Sequence, residues 1–246
     1  YLIRPIEHGA DIVIHSLTKF IGGHGTTLGG VVVESGRFDW GSGRFPSMTE
    51  PVPSYGGVSW WENFGEYGFL TKLRTEQLRD IGPSLSATAA FQLLQGVETL
   101  PQRMDAHVAN ARTVAAWLAE DPRVGYVTYA GLDDHPHHER ARRYLPLGPG
   151  AVFAFGVRAT DDLGGRQVGE RFIESVQLAS HLANVGDART LVIHPGSTTH
   201  QQLSDEQLAA AGVADDLVRI SVGIEDVEDI IWDLDQALEA ATGVSR

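Results

Sequence analysis

Lys19 stands in the segment Asp11-Ile-Val-Ile-His-Ser-Leu-Thr-Lys-Phe-Ile-Gly-Gly-His-Gly25, after a strand-like apolar run and before a cluster of glycines. Ser16 and Thr18 carry hydroxyls at alternating positions, so both can hydrogen-bond one anion such as a phosphate. Neighbouring glycines let backbone approach a ligand without side-chain collision. A lysine desolvated by such packing loses its proton more readily, and its amine becomes a nucleophile toward an aldehyde. On residue types alone, a turn whose lysine merely reaches solvent is the favoured explanation of the segment. A phosphate loop is excluded because no Gly-Lys-Ser/Thr sequence occurs, and the dinucleotide fingerprint lacks its third glycine.

A second group is Leu217-Val-Arg-Ile-Ser-Val-Gly-Ile-Glu225. Period-two alternation puts Val218, Ile220 and Val222 on one strand face and Arg219 with Ser221 on the other. An arginine centred in an apolar strand is costly to bury unless an anion meets it, and its planar fork suits a carboxylate. One of the protein's own acids could equally be that partner. A third group is Leu178–Asp187 with Thr190–His200, which holds Asn184 before Gly186 and the hydroxyl run Ser197, Thr198, Thr199. Asn184 reads either as a ligand contact or as a turn-former. The histidines His135, His137 and His138 beside Glu139, and His181, His194 and His200, invite a metal reading, but the first group lacks the i, i+4 His–His pairing of a zinc hydrolase, and no metal site is expected.

These groups need elements to hold them. Residues 11–15 and 29–34 read as buried strands flanking the Lys19 turn, and 36–68 as a long ordered loop rich in Gly, Ser, Pro and aromatics. The pattern is helical from Leu70 to about Glu120, with breaks expected near Gly82-Pro83 and Gly96. Met104, Val108, Ala111, Ala115 and Leu118 lay an apolar stripe on its last helix, which Asp121-Pro122 stops. Val152–Val157 reads as a strand buried on both faces, and Gly164-Gly165 as the entry to a short helix. Ser204 and Gln207 form a capping box before a helix closed by Gly212. Leu217–Val222 reads as a strand, and Val227, Ile230, Ile231, Leu234, Leu238 and Ala241 mark a final helix ending at Gly243. The coarse reading is two α/β units joined by long helices, with a boundary near residues 100–110.

Composition narrows the function class. The chain has 246 residues, 19 Lys+Arg against 32 Asp+Glu and a net charge of −13, which disfavours a basic face for nucleic acid. Hydrophobic residues at 42% suffice for a proper core. No run approaches the length of a membrane-spanning helix, and no basic-then-apolar leader opens the chain. Zero cysteines excludes disulfides and cysteine nucleophiles and fits a cytosolic protein. The first residue is Tyr1, which leads to the expectation of a piece of a longer protein.

The segment Asp11–Gly25 resembles the lysine signature of the Cys/Met-metabolism enzymes that use pyridoxal phosphate, the cystathionine lyase and synthase group. That resemblance implies that Lys19 carries the cofactor covalently and acts in catalysis, and that Ser16 and Thr18 hold its phosphate. Leu17 departs from the small residue many members have there. Arg219-Ile-Ser-Val-Gly-Ile-Glu225 is similar to the segment with which the family binds the substrate α-carboxylate, which implies Arg219 as the anchor. Asn184 stands where most members have Ser, a departure similar to the O-acetylhomoserine sulfhydrylase branch, and would share that role. Gly131–Glu139 is similar to a structural loop of the family, while Trp60–Leu70, Leu78–Ser84 and Gln92–Leu100 are similar to the same branch.

The implied fold is α/β, the fold type I (aspartate-aminotransferase-like) class. Residues 1–105 would be the later part of the cofactor domain and 106–246 the C-terminal α/β domain. The implied reaction is γ-replacement, O-acetyl-L-homoserine plus sulfide or methanethiol giving homocysteine or methionine plus acetate, in a cytoplasmic homo-oligomer (dimer or tetramer) with no nucleic-acid or membrane partner. The family's phosphate loop, ring-stacking Tyr and pyridine-pairing Asp would all precede Tyr1, so these 246 residues alone are expected to be inactive. Cystathionine γ-synthase or methionine γ-lyase activity, or a non-catalytic interaction module, are the alternatives.

Overall fold

Ile12-Val13-Ile14 and Val31-Val32-Val33 are β-branched throughout, a composition that fits a pleated surface. They form β1 (Ile12–Ser16) and β2 (Gly30–Glu34) in the computed structural model, which describes residues 1–246, the side chain of Asp205 excepted. The strands run antiparallel, with Ile12 opposite Glu34 and Ser16 opposite Gly30. They belong to one of two units: Arg4–Leu17 with Leu28–Gln92 form the first, and Tyr1–Ile3, Thr18–Thr27 and Leu93–Arg246 the second.

In the first unit, residues 36–68 are not the loop expected from their composition. They contain α1 (Pro46–Thr49) and α2 (Trp60–Phe64). Proline suits the start of α1 because its missing N–H would be unpaired there in any case. Ser59 caps α2, accepting from Glu62 N at 3.4 Å. These starts are too short to show a helical period, which is why the pattern hid them. Next come α3 (Gly68–Lys72) and α4 (Arg79–Ile81), joined by a wider helical turn over Leu73–Leu78 and ended by Gly82. The aromatics form the core of this unit. Trp40, Met48 and Trp60 are buried, and Trp40 stacks on Phe69 at 4.8 Å between ring centroids. Both buried indoles have partners: Trp40 Nε1 donates to Glu34 at 2.6 Å and Trp60 Nε1 to Glu76 at 3.1 Å.

The division between the units falls within α5 (Ala87–Glu98). This helix runs through Gly96 without a break, contrary to expectation. A Cβ at Gly96 would lie 2.4 Å from Gly22 O and 2.7 Å from Ile21 O. Glycine is there because the backbone after Lys19 passes against the helix, not because the helix ends. The turn comes at Thr99, after which α6 (Leu100–Ala119) buries the expected stripe Met104, Val108, Ala111, Ala115 and Leu118.

The second unit is built on a five-stranded sheet of β3 (Val124–Val127), β4 (Val152–Val157), β5 (Ser180–His181), β6 (Leu191–Ile193) and β7 (Leu217–Ser221). The strand order is β3-β4-β7-β6-β5, and only the β5–β6 pair is parallel. Between and after the strands lie α7 (His138–Tyr144), α8 (Gly165–Ser175), α9 (Asp205–Ala210) and α10 (Val227–Thr242). Phe153, Phe155 and Val157 of β4 are buried, but Val152 and Ala154 on its other face are half-buried, so the strand is not covered equally on both sides. The helix entered at Gly164-Gly165 is 11 residues long, not short. Ser204 and Gln207 form the expected capping box, with bonds of 3.3 and 2.9 Å. Helices α6, α8 and α10 join Phe153, Phe155, Val218, Ile220 and Val222 in one apolar core. Among the described residues no helix is long and apolar enough to cross a membrane.

Candidate functional site

The Lys19 turn begins where β1 ends. Leu17–Ile21 makes one helical turn whose backbone leaves helical conformation at Lys19 (φ −85°, ψ −137°), and Gly23 N closes it on Lys19 O at 2.7 Å. Ala188 N then donates to Gly23 O at 2.9 Å, tying the turn to the segment after Asn184. Thr18 and Lys19 are half-buried, and Lys19 Nζ donates to Asn184 Oδ1. Phe20 beside them meets the buried ring of His107 edge-on, 5.2 Å between centroids. Burial favours the neutral His107 ring and pushes its pKa below the ordinary value, outweighing a backbone bond to Val222 O that works the other way.

Arg219 sits in the middle of β7, paired in register with Ala154 on one side and Ile193 on the other. Val218, Ile220 and Val222 point the opposite way into the core, as their alternation predicts. Arg219 Nη2 donates to Asn184 O at 3.2 Å. Among the described residues no carboxylate pairs with it. Burial pushes the guanidinium pKa below its ordinary value with nothing offsetting it. A half-buried cation with no acid among the described residues has charge and N–H donors to offer an anion.

Asn184 links these two cations through its side-chain and backbone oxygens. Its segment is fixed by Ser221, a buried hydroxyl that accepts from Gly186 N at 3.0 Å. Next along the chain, Asp187 is buried and receives Arg189 through both Nε and Nη2 at 3.2 and 3.1 Å. Lys19, Asn184 and Arg219 are therefore brought together in one unit, with Thr18 adjacent in sequence. Ser16 is the exposed last residue of β1 in the other unit.

Ser197 and Thr198 bond within their own loop, to His194 Nδ1 at 2.9 Å and His194 O at 2.7 Å. His194 is fully buried and its Nε2 meets Asp215 O at 2.7 Å, a structural role. Among the described residues no three His, Cys, Asp or Glu side chains gather to hold a metal ion.

Two contributors escaped the sequence reading. Ser221 was placed on the Arg219 face without a partner, because nothing local announces that Gly186 N lies opposite. Arg103 is buried and donates to three backbone carbonyls, Phe20 O, Ile21 O and Gly96 O, at 2.7, 3.1 and 2.6 Å. A signal for it existed: Arg103 and His107 each precede a stripe residue, Met104 and Val108, and so edge the buried face of α6.

The fold and the lysine–arginine site define an α/β protein of the fold type I class. A crystal structure of a Campylobacter jejuni protein assigned as an O-acetylhomoserine (thiol)-lyase superposes with a TM-score of 0.89 at 35% identity, over 97% of this chain and 56% of that one. In that protein a lysine carries a pyridoxyl monophosphate. The sequence pattern of the Cys/Met metabolism PLP-dependent enzyme family matches residues 1–239, and the chain belongs to that family. Among curated relatives, homocysteine synthase of Schizosaccharomyces pombe is 51% identical over 98% of this chain and 56% of its own length. O-acetyl-L-homoserine sulfhydrylase 1 of Thermus thermophilus is 50% identical over 97% of this chain and 55% of its own. The chain thus spans about half the length of the curated relatives it matches.

Proposed function

We propose that this chain serves a PLP-dependent γ-replacement, in which O-acetyl-L-homoserine and sulfide or methanethiol give homocysteine or methionine and acetate. The observation that carries the proposal is the convergence of Lys19 and Arg219 on Asn184, an amine and an acid-free guanidinium sharing one neutral residue. Relatives at about half identity named as homocysteine synthase and O-acetylhomoserine sulfhydrylase support the same activity.

The donor set fits the cofactor. A half-buried primary amine suits an aldehyde, and Thr18 with Ser16, two positions apart in sequence, suits a phosphate. When bound, pyridoxal phosphate supplies an electron sink for negative charge developing at the substrate α-carbon. The chain's own residues do the rest. Arg219 binds the α-carboxylate, and its bond to Asn184 O orients the guanidinium toward that anion. Lys19 Nζ takes the α-proton, gives it up before it takes a β-proton as acetate leaves the γ-carbon, and returns one proton to each of the β- and α-carbons once sulfur has added at the γ-carbon. Between transfers, Asn184 Oδ1 gives the free amine an acceptor that keeps it near the substrate.

In this reading residues 1–105 are the later part of a cofactor domain and 106–246 the carboxylate-binding domain of a cytoplasmic homo-oligomer with small-molecule substrates. The experiment is borohydride reduction with pyridoxal phosphate followed by peptide mapping. It is run on these 246 residues and on any longer polypeptide that the same reading frame encodes. Pyridoxyl on Lys19 in either is the expected result; an unmodified Lys19 in both ends the proposal.

A further inference from the structure

Arg103 is a buried cation with no acidic partner among the described residues. Its planar fork is satisfied by oxygens of the Lys19 turn, of α5 and of the residue that precedes α6. Nη1 meets Phe20 O at 2.7 Å, Nη2 meets Ile21 O at 3.1 Å and Gly96 O at 2.6 Å, and Nε meets Thr99 Oγ1 at 3.1 Å. Three of these four bonds are made to backbone that cannot be substituted away. Two of the carbonyls belong to the residues immediately after Lys19. The other two oxygens lie at the end of α5 and the start of α6. The fork therefore stitches the Lys19 turn to the junction of two long helices.

Two glycines make room for it. Gly23 has φ +73°, and a Cβ there would lie 2.2 Å from Arg103 Nη1. At Gly96, a Cβ would collide with the same backbone that Arg103 holds. Lysine could not replace this residue, since an ammonium is a point charge without a fixed fork. Helix stability does not require the arrangement either. A surface arginine would serve α6 as well, and burying this one lowers its pKa through lost hydration. The retained benefit is a fixed position for the backbone on which Lys19 rides.

We infer that Arg103 is a positioning residue for Lys19, clamping the turn so that the amine stays at Asn184 and Arg219. This rests on the cofactor-binding role proposed for Lys19, and it predicts how fast that lysine is captured by the aldehyde. A reacting group displaced by about an ångström loses on the order of 100-fold in rate.

The test compares the wild-type protein with Arg103→Ala and, from the opposite side, Gly23→Ala, whose new methyl group would both push the fork away and strain the turn at φ +73°, so that Arg103→Ala and its rescue carry the decision. Two readouts are taken. The first is the rate at which pyridoxal phosphate and borohydride label Lys19. The second is hydrogen exchange at the amides of Gly23 and Ala188, which in the wild type donate to Lys19 O and Gly23 O. Labelling is expected to slow by about 10- to 100-fold in both variants. Gly23 and Ala188 should lose protection while the amides of β4 and β7 keep theirs. Guanidinium at millimolar concentration, far below denaturing levels, should partly restore both readouts in Arg103→Ala and in neither case for Gly23→Ala. If the wild type is not labelled at Lys19, the cofactor reading fails, and the exchange readout alone decides whether Arg103 holds the turn. Unchanged protection at Gly23 and Ala188 overturns the inference. So does loss of protection throughout β4 and β7 in both variants, which would make Arg103 a general determinant of the fold.

Discussion

Asn184 accepts a hydrogen bond from the amine of Lys19, 165 positions away in sequence, through its side-chain oxygen. Its backbone oxygen accepts from Arg219 at 3.2 Å. A neutral amide between two cations leaves both charges available to ligands, which an acid in the same place would not. That difference can be measured.

Asn184→Asp puts a carboxylate between Lys19 and Arg219. The new charge would pair with both and repel an incoming substrate carboxylate. In the proposed γ-replacement, KM for O-acetyl-L-homoserine should rise about 10- to 100-fold, the range expected when like charges meet in a partly desolvated site. Steady-state kinetics on the longest polypeptide that the same reading frame encodes check this, and an unchanged KM would mean that Asn184 does not face the substrate anion.

Arg219→Gln separates ligand binding from folding. Breaking a buried ion pair is strongly destabilising, but Arg219 has no acidic partner among the described residues to leave behind. Thermal stability should therefore hold or rise by up to about 1 kcal/mol as a desolvated charge is removed. If Arg219 anchors the substrate carboxylate as proposed, KM should rise by about 100-fold with the loss of a charge-assisted contact. A clear drop in Tm with little change in KM would assign Arg219 to the structure instead of the substrate.

Gly96→Ala tests the close approach of α5 to the Lys19 turn. Backbone atoms 2.4 and 2.7 Å from the new methyl carbon must move, at a cost of about 1–3 kcal/mol. Gly125→Ala is the control, with its nearest neighbours at 3.7 and 3.8 Å and an expected change within about 0.5 kcal/mol. Urea unfolding of both variants gives the comparison, and equal stabilities would refute the crowding at Gly96.

Gly96 also shows where sequence reading stops. Read locally, a glycine in a helical pattern suggests a break; its real cause is backbone more than 70 residues earlier in the chain. The positions of β1, β2 and β7, the apolar stripe of α6 and the Ser204–Gln207 cap were legible because each depends on local composition, period or contacts a few residues apart, but β1 and β2 are not the buried strands expected, with Ile14 74% exposed. The same holds for the two faces of β7, where alternation alone separates Arg219 and Ser221 from Val218, Ile220 and Val222. Helices α1 and α2 were hidden because four or five residues show no period. Lys19 and Arg219 drew notice as cations beside apolar runs. Their meeting at Asn184, and the Arg103 clamp behind them, follow from tertiary packing that no local pattern encodes.

Asp121 and Arg123 form a buried pair whose pH dependence has a definite sign. Burial works to raise the Asp121 carboxyl pKa, but the side-chain and backbone bonds from Arg123 outweigh it and hold it below the ordinary carboxylate range. The unfolded chain therefore takes up this proton first as pH falls. The pair's contribution is complete above the unfolded value of about 3.9 and disappears as pH drops through the lower folded value. Asp121→Asn should cost about 3 kcal/mol at neutral pH, since it leaves Arg123 buried with Asp235 as its remaining acid. The gap between variant and wild type should stay constant from about pH 7 to 5 and close below about pH 4. Urea unfolding across that range measures it directly. A gap that persists undiminished in acid would mean that shape and hydrogen bonding, not the charge of Asp121, stabilise this corner of the fold.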